Sequence, residues 1–501
     1  MVPHVKMPNS FLPDNPHAVA LAFAAASFVY LLTRIFLSKK GGFPPGPRRW
    51  PVLGSALSVP RAYQWLTFSK WAKIYGNVIY LDVVGQPIIV LNSAKVAKDL
   101  LDQRSSIYSD RPDLPYGENW RQQRKVVAQD FSQSAMPRYY ALQESEAKKL
   151  VRSVLDDPRT LARQIKLRLG TIIIRVTYGH YITGEQDPFL TSPLTAMHNF
   201  SQASAPGTWA VDFLPILHAA VDAGGKFLKT ADEWRDIVWN TSWEPYLWAK
   251  DNIASGNALL PNMCATTLEA VDGKPTKEQE ESLVWAASTV MGAGMDTNAS
   301  TVLVFFLAMM LHPDVQAKAR REIDDVVGRD RLPTIQDRAS LPYIRSIMTE
   351  VFRWNPAVPL TGIAHALSQD DVYEGMHVPK GALIIPNVWH MFHDPTAYPN
   401  PMEFNPDRYN NLDAEMDKVA DVMFGFGRRV CPGKVFAEGT FFAIVATVLA
   451  TCEILPVVDA QGNKVVPEVT FSSGTIIFPS AFDIDLKARS EKALDLLSRD
   501  Y

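Results

Sequence analysis

The sequence predicts a mainly α-helical chain with small β-sheets, built as a single large domain behind an N-terminal transmembrane helix. Three observations carry that expectation. Long stretches repeat their apolar residues at the helical period, while β-branched runs are short and few. Nothing resembling an interdomain linker follows about residue 60 of the 501-residue chain, so one big core is favoured. Ahead of that point lies an apolar run, Ala18–Leu37, broken only by Arg34 and close to the length an α-helix needs to cross a hydrocarbon layer.

Arg34 stands near the end of that run, where its side chain can snorkel to the interface. Lys39, Lys40, Arg48 and Arg49 follow it and only Lys6 precedes it, so the positive-inside rule places the body of the protein in the cytosol. A cleaved signal peptide would carry its charge on the other side. The predicted order is a short lumenal segment at 1–17, an anchor at 18–38, a proline-rich hinge at 39–51, the large domain at 52–490 and a C-terminal tail at 491–501. In the hinge, the prolines of Gly41–Pro51 fix φ and restrict their neighbours, which makes a stiff spacer.

Within the domain, Val78–Val84 and Ile88–Leu91, split by Gly85, Gln86 and Pro87, predict a hairpin. A second hairpin is expected over Val457–Val466, around the turn Asp459–Asn463. Helical spacing runs through Val96–Leu101, Trp120–Asp130, Tyr139–Leu155, Ala162–Tyr178 and Asp232–Asn252, then Gln279–Leu311, Pro313–Val327, Ser340–Trp354 and Val435–Ala450. Leu283–Leu311 is almost uncharged and could pass for a second span. Asp296, Thr297, Asn298, Ser300 and Thr301 near its middle are costly in lipid, so a buried core helix is the better account.

A net charge of −3 with acids and bases mixed along the chain leaves no basic footprint, which excludes nucleic-acid binding. Three cysteines with no evident pairing fit a reducing compartment. The twelve tryptophans include a cluster at Trp209, Trp234, Trp239, Trp243 and Trp248, suited to a core, an apolar pocket or a membrane interface.

One loop carries chemistry. Phe424–Gly433 reads F-G-F-G-R-R-V-C-P-G, and Gly425, Gly427 and Gly433 allow a tight turn that lifts Cys431 clear of its neighbours. The apolar helix after it would stabilise a thiolate through its dipole and its unpartnered amides, with Arg428 and Arg429 adding positive charge. No second cysteine or histidine stands at tetrahedral zinc-ligand spacing, so a lone axial thiolate on haem iron is the expected use. On the cysteine alone, a buried residue in a glycine-rich turn would serve as well; the frame F-x-x-G-x-R-x-C-x-G decides. That frame resembles the haem-binding loop of the cytochrome P-450 family, with Cys431 as axial ligand and Phe424, Gly427, Arg429 and Gly433 around it. Cys264, expected in a loop, and Cys452, at the end of an apolar helix, lack such surroundings and are expected to be inert.

The resemblance extends over roughly Phe43–Leu486 and assigns further residues. Gly292–Asn298, G-A-G-M-D-T-N, resembles the oxygen-binding groove of the family, which implies that Asp296 helps supply protons and that Thr297 hydrogen-bonds a water or the bound dioxygen. Glycines alone would equally suit close helix packing. Glu350 and Arg353 lie on one helix face and match the E-x-x-R motif, with Arg408 of F-N-P-D-R-Y as third member of a structural charge network. Trp120 and Arg124 match the W-x-x-x-R motif, and with Arg429 and His365 they would hold the anionic haem propionates. The stretch Pro112–Asn119, by contrast, is shorter than in the family. That implies either an unusually open pocket or a gene model lacking an exon.

The implied activity is that of a haem-thiolate monooxygenase. It would use haem b (iron protoporphyrin IX), O2 and electrons from an NADPH-cytochrome reductase to oxidise a hydrophobic small molecule. The resemblance to fungal microsomal members implies secondary metabolism of terpenoid, polyketide or aromatic compounds. It also implies a single-pass protein of the endoplasmic reticulum membrane with a cytosolic catalytic domain. Val358–Leu360 and Ser472–Thr475 lie where the family lines its pocket. A reductase-independent haem-thiolate isomerase or dehydratase is the alternative among enzymes, and a haem-binding but catalytically impaired protein is the alternative outside them.

Overall fold

A computed structural model describes residues 42–112, 117–203 and 226–499. The expected anchor at 18–38, the start of the hinge, Trp209 and residues 113–116 of the short connection lie outside the described residues.

Helix α1 (Gln64–Tyr75) leads into a hairpin of β1 (Val78–Val83) and β2 (Gln86–Leu91). Val84 and Gly85 both take positive φ, 51° and 93°, the two-residue turn whose twist matches paired strands. The turn therefore sits one residue earlier than expected, and Pro87 belongs to β2. Its missing N–H is harmless there, because the parallel ladder from β2 to β6 begins only at Ile88. Next come α2 (Ala94–Ala97), a single π-helical stretch (Lys98–Gln103) where an ordinary helix was expected, and α3 (Ser105–Tyr108).

The helical body follows with α4 (Glu118–Phe131), α5 (Tyr140–Asp156), α6 (Leu161–Tyr178), α7 (Pro188–Ala203) and α8 (Lys226–Ala254). It continues through α9 (Met263–Glu269), α10 (Lys277–Leu311), α11 (Pro313–Val326) and α12 (Pro342–Trp354). Short strands β3 (His365–Ala366), β4 (Asp371–Tyr373), β5 (Met376–Val378) and β6 (Leu383–Pro386) precede α13 (Val388–Phe392), α14 (Asp413–Met423) and α15 (Lys434–Thr451). Strands β7 (Cys452–Pro456) and β8 (Ile484–Ala488) and helix α16 (Glu491–Ser498) complete the described chain. One sheet has the order β1-β2-β6-β3; β4-β5 and β7-β8 form two-stranded ribbons.

The 35-residue α10 starts with a capping box in which the Thr276 and Gln279 side chains satisfy each other's backbone amides. Both α10 and α15 are apolar enough to cross a membrane, yet most of each is buried inside the protein. They are core helices, and with α12 they form the centre of the main hydrophobic cluster, through Phe305, Phe352 and Phe441 among others.

Val457–Val466 forms the expected hairpin in miniature, an antiparallel bridge between Val458 and Lys464 flanked by bonds from the Asp459 amide to the Asn463 carbonyl at 2.9 Å and from the Val465 amide to the Val457 carbonyl at 2.8 Å. There the Asp459 side chain accepts the amides of Gln461 and Asn463, which closes a turn, while β7 finds its partner in the distant β8. Two expectations need correction. Cys264 is not in a loop: it lies in α9, whose start is capped by the Asn262 side chain, and is fully buried. Residues 491–498 of the expected tail form α16, capped by Ser490, with Leu496 and Leu497 buried in the main core.

Candidate active site

The loop between α14 and α15 is shaped by two glycines in the left-handed region, Gly425 (φ 82°) and Gly427 (φ 53°). The Cys431 amide folds back to donate to the Phe424 carbonyl at 2.7 Å, and the Arg429 amide donates to Phe426 at 3.1 Å. Gly433 caps α15. Phe424 is braced edge-on by Phe352 of α12 at 5.7 Å between ring centres. Cys431 is the one accessible thiol among the three cysteines, yet protein surrounds it on most sides. Burial pushes its pKa up, while the Gly433 amide and the Arg124 charge pull it down. The net direction is upward, opposite to the depression expected from the helix terminus, because desolvation outweighs those donors. Burial likewise pushes the Cys452 thiol up to about 11 and the Cys264 thiol higher still, so both stay protonated and inert.

Cationic and N–H donors gather beside this loop. Arg124 of α4 donates to the Val430 carbonyl at 2.6 Å, and its guanidinium lies 5.7 Å from the ring of Trp120, one turn away. Arg429 stacks over the same ring at 4.4 Å and donates to the Ser109 carbonyl at 2.7 Å. His365 of β3 is buried and donates Nδ1–H to the Tyr108 carbonyl at 2.8 Å. Burial first, and then repulsion from Arg111 and Arg429, lowers its pKa to about 3. Arg111, which hydrogen-bonds the Ile363 carbonyl, is itself lowered to about 10 by burial and by Arg429. Positive groups thus repel one another at close quarters, an arrangement that an anionic ligand would relieve.

A second charge network lies at the C-terminal end of α12. Arg353 and Glu350 are fully buried and paired twice, at 2.7 and 2.8 Å. Arg408 donates to the same carboxylate at 3.0 Å, the Asn405 amide at 2.9 Å and the Tyr409 hydroxyl at 2.7 Å. The remaining Arg353 N–H groups reach the carbonyls of Phe392, Pro401 and Glu403. The network ties α12 to the segment that feeds into α14 and the cysteine loop.

In α10, which packs against α4 and α15, Ala293 is exposed among buried neighbours. Thr297, one turn on, donates its hydroxyl to the Ala293 carbonyl at 2.8 Å. Burial raises the Asp296 pKa, partly opposed by Lys166 of α6. Both glycines serve close packing: a Cβ on Gly292 would lie 3.0 Å from Met197 Sδ of α7, and one on Gly294 would lie 3.0 Å from Ile173 Cδ1 of α6. Near the far end of α7, Ser201 approaches Gly474, and the Ser473 hydroxyl accepts the Tyr63 amide at 3.0 Å. Residues 472–475 therefore lie between α7 and the N-terminal segment.

Residues 44–472 match the sequence profile of the Cytochrome P-450 family. This chain belongs to the cytochrome P-450 family. It is 50% identical to Cytochrome P-450 monooxygenase 105 of Postia placenta, an alignment covering 97% of this chain and 98% of that one. Cytochrome P-450 monooxygenase claR of Ampulloclitocybe clavipes is 37% identical over 96% of this chain and 93% of its own. A solved zebrafish cytochrome P-450 with progesterone shares the fold, with a TM-score of 0.70 at 22% identity, covering 85% of this chain and 99% of that chain. The protein is thus a cytochrome P-450 monooxygenase, an oxidoreductase, of mainly helical fold with small sheets. The family uses a haem-thiolate cofactor, O2 and small-molecule substrates.

The donor set fits such a cofactor. A thiol held up by burial needs a neighbouring positive charge to ionise, which a metal ion supplies, and the crowded cations of Arg111, Arg124 and Arg429 suit two carboxylates. His365 adds a condition. With Nδ1–H committed to Tyr108, its Nε2 can donate only after protonation, which a nearby carboxylate would favour. The sequence motifs single out neither Arg111 nor Tyr409; a basic residue at the mouth of the short connection, and the tyrosine directly after Arg408, were the signals. The alignment with the first relative spans 512 positions, more than this chain has residues, so that relative contains residues with no counterpart here.

Proposed function

We propose that this monooxygenase is a single-pass protein of the endoplasmic reticulum membrane, anchored by residues 18–38 with its catalytic domain in the cytosol. It binds haem b through Cys431 and takes electrons from an NADPH-dependent cytochrome reductase. One atom of O2 then enters a hydrophobic terpenoid, polyketide or aromatic substrate of fungal secondary metabolism. The observation that carries this reading is the convergence of an accessible, glycine-lifted Cys431 with Arg124 and with the mutually repelling cations of Arg111 and Arg429.

In this reading Trp120, Arg124, Arg429 and a protonated His365 hold the propionates, and Phe424, Gly427 and Gly433 shape the loop. Glu350, Arg353 and Arg408 keep the loop in place and touch no substrate. The haem, when bound, supplies the activation of dioxygen. The chain supplies protons and excludes water. Asp296, whose pKa burial raises, is the group that helps supply those protons. Thr297 has its hydrogen committed to Ala293, so its oxygen is left to accept a hydrogen bond from a water and fix its position.

The test is the carbon monoxide difference spectrum of the dithionite-reduced protein, beside that of Cys431→Ala. A red-shifted Soret band lost in the variant supports the reading, and a wild type that shows only a blue-shifted band, or none, sinks it. Thr297→Ala is expected to keep the red-shifted band while consuming more NADPH per product formed. Unchanged coupling would remove Thr297 from the proton path.

A further inference from the structure

The cysteine loop is held from its N-terminal flank by an element that the cofactor chemistry does not require. The π-helical stretch Lys98–Gln103 lies directly against it: a Cβ on Gly427 would fall on the Leu101 carbonyl oxygen and within 3.3 Å of Ser105 Cβ. The Gly427 amide donates to the Asp102 carboxylate, whose pKa burial raises and this hydrogen bond and Lys98 lower. At one end of the stretch, Lys98 pairs with Asp421 of α14 at 2.6 Å, six residues ahead of Gly427. Beyond its other end, the Ser109 carbonyl accepts from Arg429 at 2.7 Å. The segment is itself pinned on its outer side: Arg104 and Tyr108 both bond Asp371 of β4, at 2.7 and 2.9 Å, and Tyr373 bonds Asp99 at 2.8 Å. Residues 98–109 therefore grip the cysteine loop at two points, Gly427 and Arg429, and touch α14 ahead of it at Asp421, while anchored to the β4-β5 ribbon.

We propose that this π-helical stretch is a positioning element for the cysteine loop, and that Asp102 is its positioning residue. An α-helix places one residue fewer in each closed turn, and single π turns recur where a backbone must be re-aimed at a functional site. Here the wider turn sets the Leu101 carbonyl against Gly427, the one loop position where a side chain would collide with it, and Asp102 on the Gly427 amide. By accepting the amide of Gly427, a residue at positive φ, Asp102 fixes the Phe426–Arg429 turn. That turn sets both the height of Cys431 and the aim of Arg429. Asp102 touches neither substrate nor cofactor, and it acts through the loop.

The inference rests on Cys431 as the haem ligand, and the two fail separately. In the full-length holoprotein, the rate at which the red-shifted carbon monoxide band converts to the blue-shifted one is measured in mild urea, beside the far-ultraviolet melting curve. Asp102→Ala is expected to convert about tenfold faster, as for loss of one hydrogen bond to a charged group, with the melting temperature little changed. Asp102→Asn keeps an acceptor oxygen and is expected to restore the wild-type rate. Lys98→Met, which breaks only the exposed outer pair, is the control and stays near wild type. Equal rates in Asp102→Ala and wild type, no rescue by Asn, or a melting temperature that falls in step with the band would each overturn the assignment. Should the alanine variant not accumulate, Asp102→Thr, near in volume but too short to reach the amide, is measured in its place with the same outcomes. A wild type without the red-shifted band defeats the haem reading instead.

Discussion

Replacing Glu350 by Gln keeps the volume of the side chain and removes its charge at the most heavily bonded carboxylate of the described structure. Oε1 accepts from Arg353 Nη2 at 2.8 Å, the Asn405 amide at 2.9 Å and Arg408 Nε at 3.0 Å; Oε2 accepts from Arg353 Nε and the Tyr409 hydroxyl, each at 2.7 Å. An amide turned either way places an NH2 group against donors, losing at least two of those bonds and setting donor against donor. Arg353, fully buried, and Arg408, nearly so, then lack their shared counter-charge. Breaking a buried pair in this manner costs about 3–5 kcal/mol, because the partner charge stays desolvated. Tyr409→Phe deletes a single donor and is expected to cost about 1–2 kcal/mol. Urea denaturation followed by tryptophan fluorescence compares the two. A Glu350→Gln midpoint no lower than that of Tyr409→Phe would refute the view that the carboxylate charge holds this network together.

Two further outcomes follow from packing and titration. His393 is half-buried, stacked on Trp389 at 3.9 Å and bonded through Nδ1 to the Trp389 carbonyl, with its pKa lowered to about 4, chiefly by desolvation. A lowered folded-state pKa means stability is intact above the unfolded value of about 6.5 and declines as pH falls, because the unfolded chain takes the proton first, with a slope of about 1.4 kcal/mol per pH unit until about pH 4. His393→Phe is expected to flatten that part of the stability profile, measured by urea midpoints between pH 7 and 4; an unchanged slope would exclude His393 as its source. Gly294→Ala should gain about 1 kcal/mol of helix propensity but press its Cβ on Ile173 Cδ1 at 3.0 Å, which overpacking makes worse by about 1–3 kcal/mol. Added to Ile173→Val, which removes that methyl, the same change should turn stabilising; a double-mutant cycle showing no coupling would contradict the packing role.

The parts of the site carried by short, dense motifs were legible in the chain. The Phe424–Gly433 frame, the Glu350 and Arg353 spacing and Trp120 with Arg124 all fall where local sequence dictates a helix face or a tight loop. What escaped is set by distant partners. β7 pairs with β8, nearly thirty residues on, and no local pattern announces that partner, whereas the turn at Asp459–Asn463 between them is local and closes a small hairpin of its own. The π-helical stretch at Lys98–Gln103 has the apolar spacing of an ordinary helix, and only the approach of Gly427 shows why it widens. Arg111 is one arginine among many until folding brings it beside Arg429. The glycines of α10 read equally as a groove or as a packing seam. Met197 and Ile173, on two other helices, make them a seam.

Charge in this molecule is divided by depth in a way that bears on its chemistry. On the Cys431 side, Arg111, Arg124 and Arg429 crowd together, and repulsion and burial keep His365 neutral, with a pKa near 3, until an anion arrives. Along α10, Asp296 stands half-buried with its pKa raised, opposed only by Lys166 on a neighbouring helix. A carboxyl whose pKa burial raises and that no arginine fork grips is suited to passing protons, whereas both Glu350 oxygens are occupied by N–H and O–H donors. The same residue type is therefore structural in α12 and proposed as proton-carrying in α10, and the number of N–H groups pointed at it makes the difference. Adding a guanidinium beside Asp296 would lower its pKa and silence it without touching Cys431, so the two halves of the site are separable by substitution.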